Sequence, residues 1–180
     1  MTEMVIFDGL IDEREHLAVI FKDARNKIDP LVRVHSECLT GDVFHSARCD
    51  CGPQCREAMS MMRSGGGVLL YMRQEGRGIG LYNKFDAYNL QDTGMDTFEA
   101  NRALNFRDDQ RDYTAAAQML LALGLRRIEL LTNNPEKVRQ LQELGIKVSR
   151  QRRTRVHLTD ENRRYLLAKI KHADHSITLD

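Results

Sequence analysis

Four cysteines, at 38, 49, 51 and 55, fall within eighteen residues of a 180-residue chain that has no others. That crowding constrains the chain more than any other feature. A disulfide scaffold spreads its cysteines to staple distant loops, and a Cys-x-Cys pair such as Cys49 and Cys51 cannot easily serve two separate long loops. In a reducing compartment the cluster reads as a metal site.

The ligand count then decides what kind of site it is. Pro53 suits the first turn of a helix, with Asp50 a candidate cap. Within QCREAMSMM, Cys55, Ala58, Met59 and Met62 recur at i, i+3, i+4 and i+7, one apolar stripe. Cys55 is therefore assigned to the core as a small hydrophobe. Cys38, Cys49 and Cys51 remain as three thiolates, with His35 and His45 nearby but not required. Zinc held by three thiolates keeps its fourth tetrahedral position for water, which marks a catalytic site; a closed set of four that used Cys55 would be structural. Water activated in this way attacks electrophilic carbon.

Composition bounds the remainder. At 42% apolar, the chain can bury one core, so residues 1–180 are expected to form a single domain. No apolar run is long enough to span a bilayer, and MTEMVIFDG has neither the basic flank nor the apolar stretch of a secretory signal. The expectation is a cytoplasmic protein with no membrane partner. Lys plus Arg (27) nearly cancels Asp plus Glu (26), for a net charge of +1, which argues against nucleic acid as the ligand. The basic run from Arg150 to Arg155 is read as a solvated face. A small, strongly negative ligand stays open, because arginines cluster locally.

The pattern of elements is α/β. MVIF, HLAVIF and LVRVHSEC make the first third β-rich, and VLLYM is a short buried strand. In LVRVHSEC, Arg33, His35 and Glu37 alternate with Val32, Val34 and Ser36; their face is either functional or an ordinary solvated one. LYNKFDAYNLQ reads as a helix with Leu81, Phe85 and Tyr88 along one face. Asp96 and Glu99 have capping-box spacing for the next helix, and TAAAQMLLAL is a helix closed by Gly124. RIELL, EKVRQLQEL and IKVS form a βαβ unit in the last third, with parallel strands. The predicted fold is a mixed sheet with flanking helices.

RQEGRGIG puts Arg73 and Arg77 beside Gly76, Gly78 and Gly80, where backbone N–H groups and guanidiniums can approach phosphate. Alone it is equally a tight turn. With Arg33, Arg111 and Lys137 it would supply several charges to a triphosphate, and Glu75 or an aspartate could hold a bridging divalent ion. RDDQRD is either a surface loop of screened charges or a carboxylate base near a phosphate clamp. TNNP is either a turn or a set of donors at a helix N-terminus.

Together, RVHSECLTGDVFHSARCDCGPQ, RQEGRGIGL, DTFEAN, DDQRDYT and LLTNNPEKV resemble the GTP cyclohydrolase II family, from about Val5 to Val148. Beyond that the likeness thins to Asn162, Tyr165, Leu166 and Lys169. The resemblance implies a zinc- and magnesium-dependent homodimer of riboflavin biosynthesis. Such an enzyme opens the imidazole ring of GTP, releases formate and pyrophosphate, and leaves 2,5-diamino-6-ribosylamino-4(3H)-pyrimidinone 5′-phosphate. It also implies zinc on Cys38, Cys49 and Cys51. GTP would be held by Arg33, Val34, His35, Ser36, Glu37, Gln54, Glu75, Gly76, Arg77, Thr97, Thr132 and Lys137. Asp109 would be the proton acceptor, Arg111 the nucleophile that takes the guanylyl group, and Tyr88 a catalytic group near the base. A guanidinium normally stays protonated, so a phosphate clamp is the physical alternative for Arg111. Two other outcomes remain: a relative that stops at the formamide or serves a specialised pathway, and a zinc-stabilised GTP sensor without turnover.

Overall fold

The computed structural model describes residues 2–173, and the chain divides into two compact units. The first comprises Met1–His35, Gln54–Arg73 and Asp112–Arg155. It carries a six-stranded mixed sheet of β1 (Thr2–Ile6), β2 (Leu17–Phe21), β3 (Leu31–Ser36), β4 (Gly67–Met72), β5 (Arg127–Leu131) and β6 (Lys147–Arg152). Their spatial order is β1-β2-β4-β3-β5-β6. β2 pairs antiparallel with β1 and β4, whereas β5 pairs parallel with β3 and β6. The β5 to β6 crossover is α6 (Pro135–Glu143), so the βαβ unit expected from the sequence is present. α6 starts where it does because the Asn134 side chain accepts the Glu136 N–H at 2.9 Å and Pro135 opens the first turn.

The inner strands β2, β3, β4 and β5 are rich in apolar residues because both faces of the sheet are covered there, whereas the edge strands β1 and β6 are mostly exposed. Val32, Val34, Val68, Leu70, Met72, Ile128 and Leu130 turn to one face, against Ala116, Met119 and Leu120 of α5 (Thr114–Ala122) and Leu141 of α6. Their neighbours in the pleat, Leu31, Leu69 and Leu131, turn to the other face with Phe21. There they meet Cys55, Ala58 and Met62 of α2 (Cys51–Gly65). The stripe in QCREAMSMM is thus the buried side of α2. Full burial of each large side chain contributes about 1.5–3 kcal/mol.

On β3 one of the two open readings falls away. A solvated face through Arg33 and His35 is ruled out, because α2 covers it: Arg33 is 7% exposed and His35 2%.

The described residues of the second unit, which comprises Ser36–Pro53, Gln74–Arg111 and Val156–Asp180, are mainly helical. It holds α1 (Leu39–Asp42), α3 (Leu81–Asp92), α4 (Thr97–Ala103), α7 (Arg163–Ala173) and a 3-10 turn at Glu75–Gly78. α4 packs against α3 and α7, around buried Ile79, Ala87, Phe98, Ala100, Leu166 and Ala168. The capping box of α4 is complete: Asp96 accepts the Phe98 and Glu99 N–H groups, and Glu99 accepts the Asp96 N–H at 2.8 Å. α3 departs from the expected apolar face. Phe85 is 41% exposed, and the fully buried positions are Lys84 and Ala87. A buried ion pair between Lys84 and Glu75 thus lies beneath the helix beside the apolar contact at Ala87. Among the described residues, no helix is long and apolar enough to cross a membrane.

Candidate active site

The three cysteines assigned to a metal come together in the second unit. Their sulfurs all lie within 4.8 Å of one another, with Cys38 and Cys49 Sγ 3.6 Å apart. Tetrahedral zinc with bonds of about 2.3 Å places its thiolates about 3.8 Å from each other, so the spacing fits that ion. Cys55 is packed among Leu31, Ala58 and Met62, as its helical register implied.

The backbone makes room for the cluster at Gly41. A Cβ there would stand 2.9 Å from Cys49 Sγ and 3.1 Å from Cys38 Sγ, so any side chain would push the sulfurs apart. Hydrogen bonds from Cys49 and then Cys51 hold the Cys38 thiol down at about 3, with help from the Lys84 ammonium and the Gly41 backbone, against burial. Cys49, the donor in the same cluster, is pushed far up by the same bonds. A divalent cation that displaces the remaining thiol protons would satisfy all three sulfurs.

Around the sulfurs stands a polar shell in which sequence reasoning named Glu75 and Tyr88 but left out Lys84 and Thr40. Lys84 Nζ, on α3, donates to Cys38 Sγ at 3.3 Å, to Thr40 Oγ1 at 3.0 Å and to Glu75 Oε1 at 2.7 Å. Burial opposes its charge, but Cys38, Tyr88 and Glu75 outweigh burial and push its pKa up, so it is a fixed cation. Glu75 Oε1 also accepts the Gly76 N–H at 3.0 Å, and Oε2 accepts the Leu39 N–H at 2.6 Å. Glu75 therefore ties the glycine-rich turn to the start of α1, and both of its oxygens are engaged within the protein. Lys84 precedes Tyr88 by four residues on the same side of α3, and the Tyr88 hydroxyl lies 3.3 Å from Thr40 Oγ1. Burial raises the Tyr88 pKa, although Lys84 and Thr40 pull the other way, so the phenol stays a donor at neutral pH.

The glycine-rich turn is strained at Arg77, whose φ of +61° is unusual for a residue with a side chain. Its guanidinium sits 4.2 Å from the Phe98 ring centroid. The Arg77 carbonyl accepts the Gln110 N–H at 3.0 Å, which brings the Asp109 and Arg111 loop to the turn. Asp109 Oδ1 accepts the Arg111 backbone N–H at 3.0 Å and its Nε–H at 2.9 Å, and Arg111 Nη2 donates to Asp109 Oδ2. Burial alone would raise the Asp109 carboxyl. Arg111, with Arg77 beyond it, outweighs burial and holds the carboxyl below the ordinary carboxylate range. RDDQRD is thus a specific ion pair joined to the turn. Thr97 opens α4 and is half-buried, as are Ser36 and Glu37.

In the first unit, Arg33 is held between α2 and β5: Nη2 donates to Gln54 Oε1 at 2.9 Å and Nη1 to the Leu131 carbonyl at 3.1 Å. His35 stacks on Tyr71, with centroids 5.6 Å apart. The Val34 side chain is core, and its carbonyl accepts Lys137 Nζ at 2.6 Å. Thr132 Oγ1 accepts the Asn134 N–H at 3.1 Å, so TNNP is an ordered turn at the start of α6.

The sequence model of the GTP cyclohydrolase II family matches residues 1–153. GTP cyclohydrolase-2 of Vibrio cholerae is 57% identical over 98% of this chain and 90% of its own length, and that of Vibrio parahaemolyticus 58% identical over 97% and 89%. The riboflavin biosynthesis protein RibBA of Thermotoga maritima is 47% identical over 97% of this chain, which spans 45% of that protein. Agreement at this level along nearly the whole sequence, in a chain whose structure gathers the sulfurs, the glycine-rich turn and the Asp109–Arg111 pair, places the protein in the GTP cyclohydrolase II family of enzymes.

Proposed function

We propose that residues 1–180 act as one GTP cyclohydrolase II-like domain that opens the imidazole ring of GTP, releasing formate and pyrophosphate and leaving 2,5-diamino-6-ribosylamino-4(3H)-pyrimidinone 5′-phosphate. Family membership supports GTP hydrolysis in riboflavin biosynthesis. The single observation that carries the ring-opening reading is the set of three clustered sulfurs, with the remaining cysteine removed to the core. Cys38, Cys49 and Cys51 would hold zinc, which supplies a Lewis acid able to activate water at neutral pH. Lys84 balances the thiolate charge and Gly41 keeps the sulfurs close. The Tyr88 phenol, protonated and fixed by Thr40, donates a hydrogen bond toward the purine.

Arg33, Val34, His35, Ser36, Glu37, Gln54, Glu75, Gly76, Arg77, Thr97, Thr132 and Lys137 are the residues we assign to GTP, with Val34 acting through its backbone and Glu75 by orienting the Gly76 N–H. Both Glu75 oxygens are committed, so magnesium in this reading arrives with the triphosphate. Asp109 and Arg111 act in two stages. As an ion pair the guanidinium is charged and attracts phosphate. Once the triphosphate competes for that charge, the Asp109 carboxylate becomes a stronger base. It accepts the proton that an Arg111 nitrogen sheds on bonding to the α-phosphorus, and pyrophosphate leaves with the electron pair of the broken P–O bond. Water then bonds to the same phosphorus, the P–N bond breaks with its electron pair and a proton from Asp109 returning to the Arg111 nitrogen, and the nucleotide is released as its 5′-phosphate. Four free cysteines fit a reducing cytoplasm, and exposed Met4 and Ile6 on edge strand β1 support a homodimer.

Zinc-loaded protein incubated with GTP and magnesium is expected to yield formate, pyrophosphate and a new pyrimidine chromophore together. Pyrophosphate without formate would favour the relative that stops at the formamide. Neither product would leave a GTP sensor.

A further inference from the structure

Asp50 lies between two of the proposed ligands, in Cys49-Asp50-Cys51, and its side chain is 1% exposed. Its Oδ1 accepts Lys169 Nζ at 2.8 Å, from a lysine side chain only 10% exposed. One turn earlier on α7, the Tyr165 hydroxyl is 3.9 Å from Cys51 Sγ, and the Lys169 ammonium stands 4.3 Å from the Tyr165 ring centroid. The i, i+4 spacing sets both side chains on one face of α7. Asp50 and Lys169 have each lost their hydration, and a buried charge in this state depends on its partner. None of Asp50, Tyr165 and Lys169 is among the residues assigned above to GTP or to the metal, and α7 lies beyond the 153 residues that the family model covers.

We infer that α7 is a latch on the metal loop: Lys169 through Asp50, and Tyr165 through Cys51, are positioning residues that hold Cys49 and Cys51 in the geometry that retains the metal. The inference deepens the zinc reading and rests on it. The contacts act on the loop from the side of the protein. The carboxylate fixes the peptide between the two ligands, and the phenol orients one sulfur. Groups placed in this way behind metal ligands govern how long the ion stays bound.

The test uses purified full-length holoprotein. Wild type, Lys169→Met, Lys169→Arg and Tyr165→Phe are compared for zinc per chain and for the rate of zinc transfer to a chelating dye, beside the melting temperature of each metal-free form. Wild type is expected to hold one zinc. Lys169→Met is expected to release zinc about 10-fold faster or more, Tyr165→Phe about 3-fold faster, and Lys169→Arg close to the wild-type rate. Release at the wild-type rate from Lys169→Met, with only its melting temperature lowered, would overturn the latch and leave a structural ion pair. If Lys169→Met does not fold, Tyr165→Phe decides, because it keeps the ring and deletes only the hydroxyl; an unchanged rate there overturns the inference. Wild type without zinc defeats the metal reading itself, whereas zinc-holding wild type with indifferent variants defeats only the latch.

Discussion

A lysine with 7% exposure that faces a cysteine sulfur and a carboxylate can give up neither partner without leaving a charge stranded in the protein. Lys84→Met is therefore expected to destabilise the fold by about 3–5 kcal/mol, the usual cost of breaking one side of a buried ion pair. Urea denaturation of the metal-free form measures that cost, and Lys84→Met combined with Glu75→Gln should recover part of it. A stability within experimental error of wild type would show that Lys84 is not paired as described.

Asp109 offers a prediction of different kind, because its pKa is lowered in the folded protein. A lowered carboxyl adds stability that is present above its unfolded pKa of about 3.9 and lost as pH falls through the folded value. Asp109→Asn should thus be less stable than wild type near pH 6, and the gap should narrow progressively as the pH is lowered below about 3.9, read as urea midpoints across that range. A gap that persists in acid would contradict the ion-pair account. Of these two residues Asp109 was named by the family resemblance, since its charged neighbours alone left a screened surface loop equally open. The sequence disclosed nothing of Lys84, because a lysine in a helix is ordinarily solvated and only the tertiary placement of Glu75 and Cys38 makes it buried.

Among the elements, α2 does two jobs that its sequence separates cleanly. Cys51 begins the helix and belongs to the sulfur cluster, while Cys55, one turn later, faces Leu31 and Met62. Cys49→Ser is expected to deplete zinc and abolish ring opening. Cys55→Ala should keep the metal and lose on the order of 1 kcal/mol of stability to the small cavity it leaves. Zinc content with a denaturation curve for each variant checks both. Metal loss from Cys55→Ala, or full zinc in Cys49→Ser, would reverse the assignment. The stripe was legible because helical periodicity is a local property. The buried face of α3 was not: Phe85 and Lys84 are adjacent in sequence, and which of them turns inward is decided by Glu75, nine residues from Lys84 in the chain. Strand β3 shows the same limit. Its alternation was plain, yet burial of Arg33 depends on Gln54 and the Leu131 carbonyl, brought by two other elements.

For the whole molecule, the proposed function turns on how many protein atoms would bind the ion. Three sulfurs would leave a replaceable position and hence a reactive water; four would leave only a structural knot. Local spacing carried the cysteines into one cluster on the page of the sequence, and order along the chain carried the family, but the closeness of the sulfurs around Gly41 needed the fold. The most direct measurement is X-ray absorption at the zinc edge of the purified, zinc-loaded protein. The account predicts three sulfur scatterers at about 2.3 Å and one oxygen or nitrogen scatterer at about 2.0 Å. Four sulfurs, or zinc bound without sulfur, would contradict it.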